Sequence, residues 1–170
     1  MTVAPTLETE RLVLRAPRFE DFEPMATLLC SDRAALIGGP YDRERAWSEF
    51  AAEVGSWALL GVGYWAITDR STNETYGMTG LGKPPHFLEL EIGWSVVAKA
   101  EGKGIAFEAA QAVLAHAFGP MGVPTLVSYI DPANARSAQL AERLGARIDP
   151  EATAPWPEDV VYRHDPETQK

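Results

Sequence analysis

Residues 99–106, Lys99-Ala100-Glu101-Gly102-Lys103-Gly104-Ile105-Ala106, lead from a β-rich run into an apolar-periodic one, and residues of these types in this order can hold a phosphate. A helix N-terminus leaves backbone N–H groups without partners and carries partial positive charge, and a glycine-rich entry lets an anion approach that backbone closely. Lys99 and Lys103 add positive charge in a chain whose net charge is −9. Glycine spacing alone is a weak signal, because Gly61-Val62-Gly63 and Gly80-Leu81-Gly82 repeat it with no helix behind them. Two phosphate motifs are excluded. A P-loop needs Ser or Thr after Gly-Lys, and Gly104 follows Lys103. A Rossmann fingerprint needs a third glycine three residues after the second, and Phe107 stands there.

Other reactive side chains are sparse. Glu89 and Glu91 fall on one face of a predicted strand by two-residue alternation, and Tyr129 lies on another strand. His86, His116 and His164 are far apart and lack the short spacing of metal ligands, so no metal is expected. Cys30 is the only cysteine, which excludes an internal disulfide. Its neighbours Met25, Leu28 and Leu29 predict a small buried thiol without a catalytic role. The 24 acidic against 15 basic residues repel polyanions, so no nucleic-acid partner is expected, and a cationic partner is weakly favoured.

These residues need a scaffold, and the periodicity predicts one. Arg11-Leu12-Val13-Leu14-Arg15 alternates polar and apolar as a half-buried strand does, and Pro17 ends it. Helical spacing marks residues 19–29 and 43–57, with a loop at Ile37-Gly38-Gly39-Pro40. Three β-rich runs, 62–69, 75–81 and 87–97, form an antiparallel meander. A helix follows over 102–118, stopped by Gly119-Pro120, then a strand over 124–130. The chain ends with a helix over 134–144, with Asn134 as its N-cap, and a strand over 158–164. One strand-helix-strand crossover among neighbouring strands implies an α/β (mixed α+β) class with a mixed sheet and helices on both faces. At 170 residues, 46% apolar and 23% charged, one globular domain with its core at about 7–164 is expected. No apolar run reaches the roughly 18 residues of a membrane helix, and residues 1–9 lack a secretory signal, so a cytoplasmic protein away from membranes is the expectation.

The motifs together resemble the GNAT acetyltransferase superfamily, whose phosphate loop is written Gln/Arg-x-x-Gly-x-Gly/Ala. Leu90-Glu91-Ile92-Gly93-Trp94-Ser95 is similar to the fourth strand of its ribosomal-protein N-terminal acetyltransferase branch. Gly102-Lys103-Gly104-Ile105-Ala106-Phe107-Glu108-Ala109 is similar to the helix start, and Asp131-Pro132-Ala133-Asn134-Ala135-Arg136-Ser137 to the Asn-x-x-Ser element. Leu144-Gly145-Ala146 and Thr9-Glu10-Arg11-Leu12-Val13-Leu14-Arg15 resemble the helix exit and opening strand. Nearly the whole chain is covered. Two positions depart from the pattern: Lys99 keeps the charge of the usual Gln or Arg site without planar multidentate hydrogen bonding, and Phe107 replaces a small residue.

The resemblance implies a GNAT fold, a central, mostly antiparallel sheet of about six to seven strands. It implies acetyl-coenzyme A as co-substrate and direct attack by a primary amine, of a protein N-terminus or a small molecule, in a ternary complex. A coenzyme A sensor without catalysis is the alternative. By resemblance, the amides of Gly102, Gly104, Ile105 and Ala106, helped by Lys99 and Lys103, hold the pyrophosphate. The strand edge at Ser95, Val96 and Val97 pairs with the pantetheine arm, which Asn134 also binds. Glu91 is the candidate base, and Ser137 and Tyr129 are candidate acids. Trp47 and the loop at 37–45 shape the acceptor side, and a homodimer is expected by analogy.

Overall fold

The computed structural model describes residues 4–168; Met1–Val3, part of the segment read above for a secretory signal, lie outside it. Strands β1 (Leu7–Glu8) and β2 (Leu12–Arg15) open the chain, followed by helices α1 (Phe22–Leu29) and α2 (Arg43–Leu60). Strands β3 (Tyr64–Asp69), β4 (Thr75–Gly82) and β5 (Glu91–Val96) form the meander. Helix α3 (Ile105–Phe118) crosses to β6 (Leu126–Ile130), and α4 (Ala135–Arg143), β7 (Arg147–Ile148) and β8 (Val160–His164) complete the fold.

The eight strands form one sheet in the order β1-β2-β3-β4-β5-β6-β8-β7. The count exceeds the expected six to seven because β1 and β7 are two-residue strands, too short to show a period. Every pairing is antiparallel except β5 with β6, which is parallel and holds at one register pair, Glu91 with Val127. The predicted strand at 87–97 loses its first four residues: Phe87 N–H closes a turn on the Pro84 carbonyl, and the Glu89 carboxylate is held by Arg163. Residues 19–21 form a 3-10 turn ahead of α1, and α2 runs on to Leu60, where Gly61 ends it at φ 74°.

Apolar burial fixes both faces of the sheet. Ala109, Ala110, Val113 and Ala117 line the buried side of α3, and their small size lets it pack closely on Leu12, Leu14, Trp65, Leu81 and Ile92. Phe22, Met25, Ala46, Phe50 and Met78 close the other face under α1 and α2. Each of the larger side chains contributes about 1.5–3 kcal/mol by leaving water. Cys30 differs from expectation: it caps the C-terminus of α1 and is exposed, because α1 ends there and the stripe of Met25 and Leu28 does not extend to it. Among the described residues no helix is long and apolar enough to cross a membrane.

Candidate active site

The loop before α3 has the backbone conformation of an anion cradle. Gly102 and Gly104 sit in the left-handed region at φ 70° and 75°, which other residues enter only at a cost of about 1 kcal/mol or more. Gly104 is the N-cap of α3 and has no side chain with which to cap it, so the first-turn amides, those of Ile105 and Ala106 among them, keep free donors. A Cβ at Gly102 would meet nothing within 4 Å, so φ and not crowding selects glycine there. Lys103 carries its exposed side chain on this loop. Lys99 is placed differently: its ammonium pairs with Glu74 and lies over the Tyr76 ring, turned toward β4. Glu101 is bound by Arg33 and by Arg136, which tie the loop to the segment after α1 and to α4.

A clasp not foreseen from the sequence fixes the start of α3. The Glu108 carboxylate accepts from the Thr9 hydroxyl at 2.6 Å, from the Arg11 amide at 3.0 Å and from Arg11 Nε at 2.6 Å. Arg11 also donates to the Lys103 carbonyl at 3.0 Å. The opening motif therefore holds the phosphate loop in register with the sheet.

Beyond Glu91, strands β5 and β6 part. The Val127 amide donates to the Leu90 carbonyl, and past this point the Ser128 hydroxyl, at 2.7 Å from the Ile92 carbonyl, replaces a backbone donor. Ser128 Oγ also lies 3.1 Å from His164 Nε2. Burial pushes the His164 pKa down to about 4, against an opposing pull from Asp165, so the ring is neutral. The alternation of the ladder then decides which groups face the gap. Leu90 and Ile92 point toward β6, whereas the Val97 amide bonds the Tyr76 carbonyl on β4. The open edge thus belongs to Trp94 and Val96; of the expected trio, Ser95 and Val97 direct their backbone groups to β4. Ser137 lies across the gap, accepting from Trp94 Nε1 at 3.4 Å. Asn134 acts as the N-cap of α4, accepting from the Ser137 amide at 3.2 Å, and donates to the Leu36 carbonyl at 3.4 Å.

Glu91 stands where the strands separate. Its carboxyl is enclosed by neighbours although the residue keeps some accessible surface, as a group lining a narrow crevice does. Burial, then the charge of Glu53 on α2, push its pKa up to about 8 against the Tyr129 amide and the Tyr64 hydroxyl. Tyr64 was missed from the sequence. Its hydroxyl is 3.5 Å from Glu91 Oε2, and its ring lies over a floor of glycines: a Cβ on Gly93 would come within 2.0 Å of that hydroxyl. Gly80 likewise admits the Tyr64 backbone, where a Cβ would be 2.3 Å from Tyr64 Cα. The Gly-Leu-Gly run at 80–82, unexplained in the sequence, makes this room.

Tyr129 adjoins Glu91, whose carboxyl accepts from the Tyr129 amide, and it meets Glu89 through its hydroxyl. The Tyr129 hydroxyl accepts from the Glu89 amide at 3.3 Å, and its ring stacks edge-on against Phe87. Glu89 takes a two-point grip from Arg163 at 2.8 Å and is held below the usual carboxylate range, so it is a structural anion. Trp47 packs edge-on against Phe22 and beside Phe19 and Phe50 on the outer side of α1 and α2. Among the described residues no group of three or more His, Cys, Asp or Glu is arranged to hold a metal.

Comparison with known proteins agrees with the fold. The acetyltransferase from Agrobacterium tumefaciens str. C58 shares 42% identity and superposes with a TM-score of 0.91, over 95% of this chain and 94% of that one. The uncharacterized protein YkkB of Bacillus subtilis (strain 168) is 30% identical, over 85% of this chain and 87% of its own length. A putative ribosomal-protein-serine acetyltransferase from Vibrio cholerae has the same fold at 21% identity and a TM-score of 0.76, over 98% and 100% of the two chains. The family model described as acetyltransferase (GNAT) domain matches residues 11–147, a span that takes in Arg11 and Glu108 of the clasp, the glycine loop and the parted strands, and the chain accordingly belongs to the GNAT acetyltransferase family.

Proposed function

We propose that the chain transfers the acetyl group of acetyl-coenzyme A to a primary amine, with Glu91 as the base. The observation that carries this is a raised-pKa carboxyl at the point where a sheet edge opens, one strand length from a glycine cradle. The co-substrate supplies an activated thioester. The residues present fit it: the amides at Gly104, Ile105 and Ala106 meet the pyrophosphate, with Lys103 beside them, and the free edge groups of Trp94 and Val96 meet the amides of the pantetheine arm. Asn134 and Ser137 line the far wall of the same gap. Lys99 keeps a part in the loop only if it leaves Glu74.

The chemistry needs little else. The amine nitrogen bonds to the acetyl carbon, the C–S bond breaks with its electron pair on sulfur, and the nitrogen sheds a proton. Glu91, with proton affinity near neutrality, suits that acceptance, directly or through a water. Ser137 and Tyr129 are the candidate donors to the sulfur: both hydroxyls accept, from Trp94 Nε1 and from the Glu89 amide, and each keeps its own proton to give. The acceptor is a protein N-terminus or a small-molecule amine, and it enters from the face covered by α1 and α2.

Calorimetric titration with acetyl-coenzyme A, with ATP and NAD as controls, tests the reading, followed by thiol release with a panel of amines. Saturable binding of acetyl-coenzyme A alone and amine-dependent thiol release are expected. Binding with no release for any amine would leave a coenzyme A sensor, and no binding would remove the function.

A further inference from the structure

Helix α2 turns a carboxylate toward the sheet where its pattern calls for an apolar side chain. Its buried residues are Ala46, Phe50 and Trp57. Glu53 falls three after Phe50 and four before Trp57, on the same stripe. Among the described residues it has no hydrogen bond and no ion pair; its carboxyl is enclosed although the residue keeps some accessible surface, and the charge that bears on it is that of Glu49, one turn earlier. An enclosed carboxylate without a partner costs stability when it is charged, and such groups concentrate at functional sites.

Phe50 and Val54, on either side of Glu53 along α2, pack in one cluster with Tyr64, whose hydroxyl is 3.5 Å from Glu91 Oε2, and Glu53 acts electrostatically on both Tyr64 and Glu91. The remaining groups facing this crevice are Glu49 from α2, the Tyr129 amide from β6 and Asp159 from the segment before β8. Glu49 is itself paired with Arg45 on α2, and the other side-chain charges that bear on the two carboxyls are negative. We propose that Glu53 is a positioning residue that acts through Glu91: the two carboxylates flank Tyr64 and make the crevice a receptacle for the acceptor as a primary ammonium ion, whose nitrogen passes one proton to Glu91. The proposal rests on the acetyl-transfer reading and deepens it.

The coupling of the two carboxyls supports this reading. Burial and Glu49 raise Glu53 to about 7, and burial and Glu53 raise Glu91 to about 8. The two carboxyls repel each other when both are charged, so ionisation of either one holds up the pKa of the other. When an ammonium enters the ionised pair, one N–H bond breaks, its electron pair stays on nitrogen and the proton joins a Glu91 oxygen. The pair goes from two negative charges to one, the amine is left neutral with a lone pair for the acetyl carbon, and after attack the second proton of the nitrogen passes to the departing thiolate sulfur.

The test is an NMR titration of isotope-labelled glutamate carboxyls in the full chain, for the wild type, Glu53→Gln and Glu91→Gln. The probe is n-butylammonium, with n-pentanol as its neutral counterpart. Glu53→Gln is expected to lower the midpoint of Glu91. The probe is expected to lower that midpoint in the wild type, n-pentanol is not, and most of the response is expected to vanish in Glu53→Gln. An unchanged Glu91 midpoint in Glu53→Gln, or no response to n-butylammonium, overturns the proposal. Thermal stability separates it from a structural role: removing a buried unpaired charge raises the Tm of Glu53→Gln at about pH 9, and a fall in Tm there also overturns it. For any amine the enzyme acetylates, the acid limb of kcat/KM moves to lower pH in Glu53→Gln while the KM for acetyl-coenzyme A stays fixed. A chain that shows the coupled carboxyls but binds no acetyl-coenzyme A retains the receptacle and loses only the acetyl-transfer reading.

Discussion

Glu91 is the residue on which turnover depends most directly. Its neutral amide analogue keeps the shape and cannot accept a proton, so Glu91→Gln should lower kcat/KM by about 10²–10⁴-fold, the usual worth of a positioned base. Acetyl-coenzyme A affinity, measured by calorimetry, should stay within a factor of two or so of the wild type, because the cradle is untouched. A base must be ionised to act, and the pKa of Glu91 is raised to about 8, so wild-type kcat/KM should fall as pH drops below that value. Alternation placed Glu91 and Glu89 on one face of a strand, but their fates differ because Arg163 captures Glu89. That capture spans 74 positions and leaves no local trace in the sequence. Tyr64 and Glu53 were equally hidden, one as an ordinary strand aromatic and the other as one charge among many on a helix.

At the scale of elements, the strand-loop-helix unit from Glu91 to Phe118 was legible, since a strong apolar period and two glycines at a helix start are local signals. What the sequence could not convey was direction. Edge strands pair by register, and only the ladder reveals that Trp94 and Val96 carry the free groups instead of Ser95 and Val97. The clasp of Thr9, Arg11 and Glu108 joins elements about a hundred residues apart and was equally invisible. The loop makes its own prediction. Gly104→Glu forces a left-handed non-glycine residue, costing about 1–2 kcal/mol, and places a negative charge at the helix N-terminus. Acetyl-coenzyme A binding should weaken at least about tenfold, equivalent to roughly 1.4 kcal/mol, while circular dichroism stays native. Unchanged affinity would mean that the phosphate sits elsewhere.

For the whole molecule, the buried acids and the buried histidine set opposing pH trends. Glu53 and Glu91 bind protons more tightly folded than unfolded, so their contribution is full below their unfolded pKa and is lost as pH rises through about 7 and 8. His164 does the reverse: its folded pKa is lowered to about 4, so stability falls as pH drops from the ordinary imidazole range toward that value. Asp21, held below its usual value by Arg15, Thr75 and the Arg18 amide in spite of burial, adds stability that is lost only in stronger acid. Tm should therefore peak on the acid side of neutrality and decline toward alkaline pH. A scan by differential calorimetry checks this, and the alkaline decline should be shallower in Glu53→Gln and Glu91→Gln. A Tm that rises steadily up to alkaline pH would show that neither carboxyl is buried in its charged form.

The parting of β5 from β6 also sets a clock. Protection of an amide from exchange with heavy water depends on a lasting hydrogen bond. In most strands protection changes smoothly along the chain, but here alternate residues face different partners. The amides of Trp94 and Val96 should exchange quickly in the free protein, and that of Val97, bonded to Tyr76, slowly. A molecule that zips into the gap would silence the fast pair and leave the slow one unchanged. Two fast amides and one slow neighbour thus serve as reporters and internal reference, and they can reveal an unknown ligand without any assay of what it becomes.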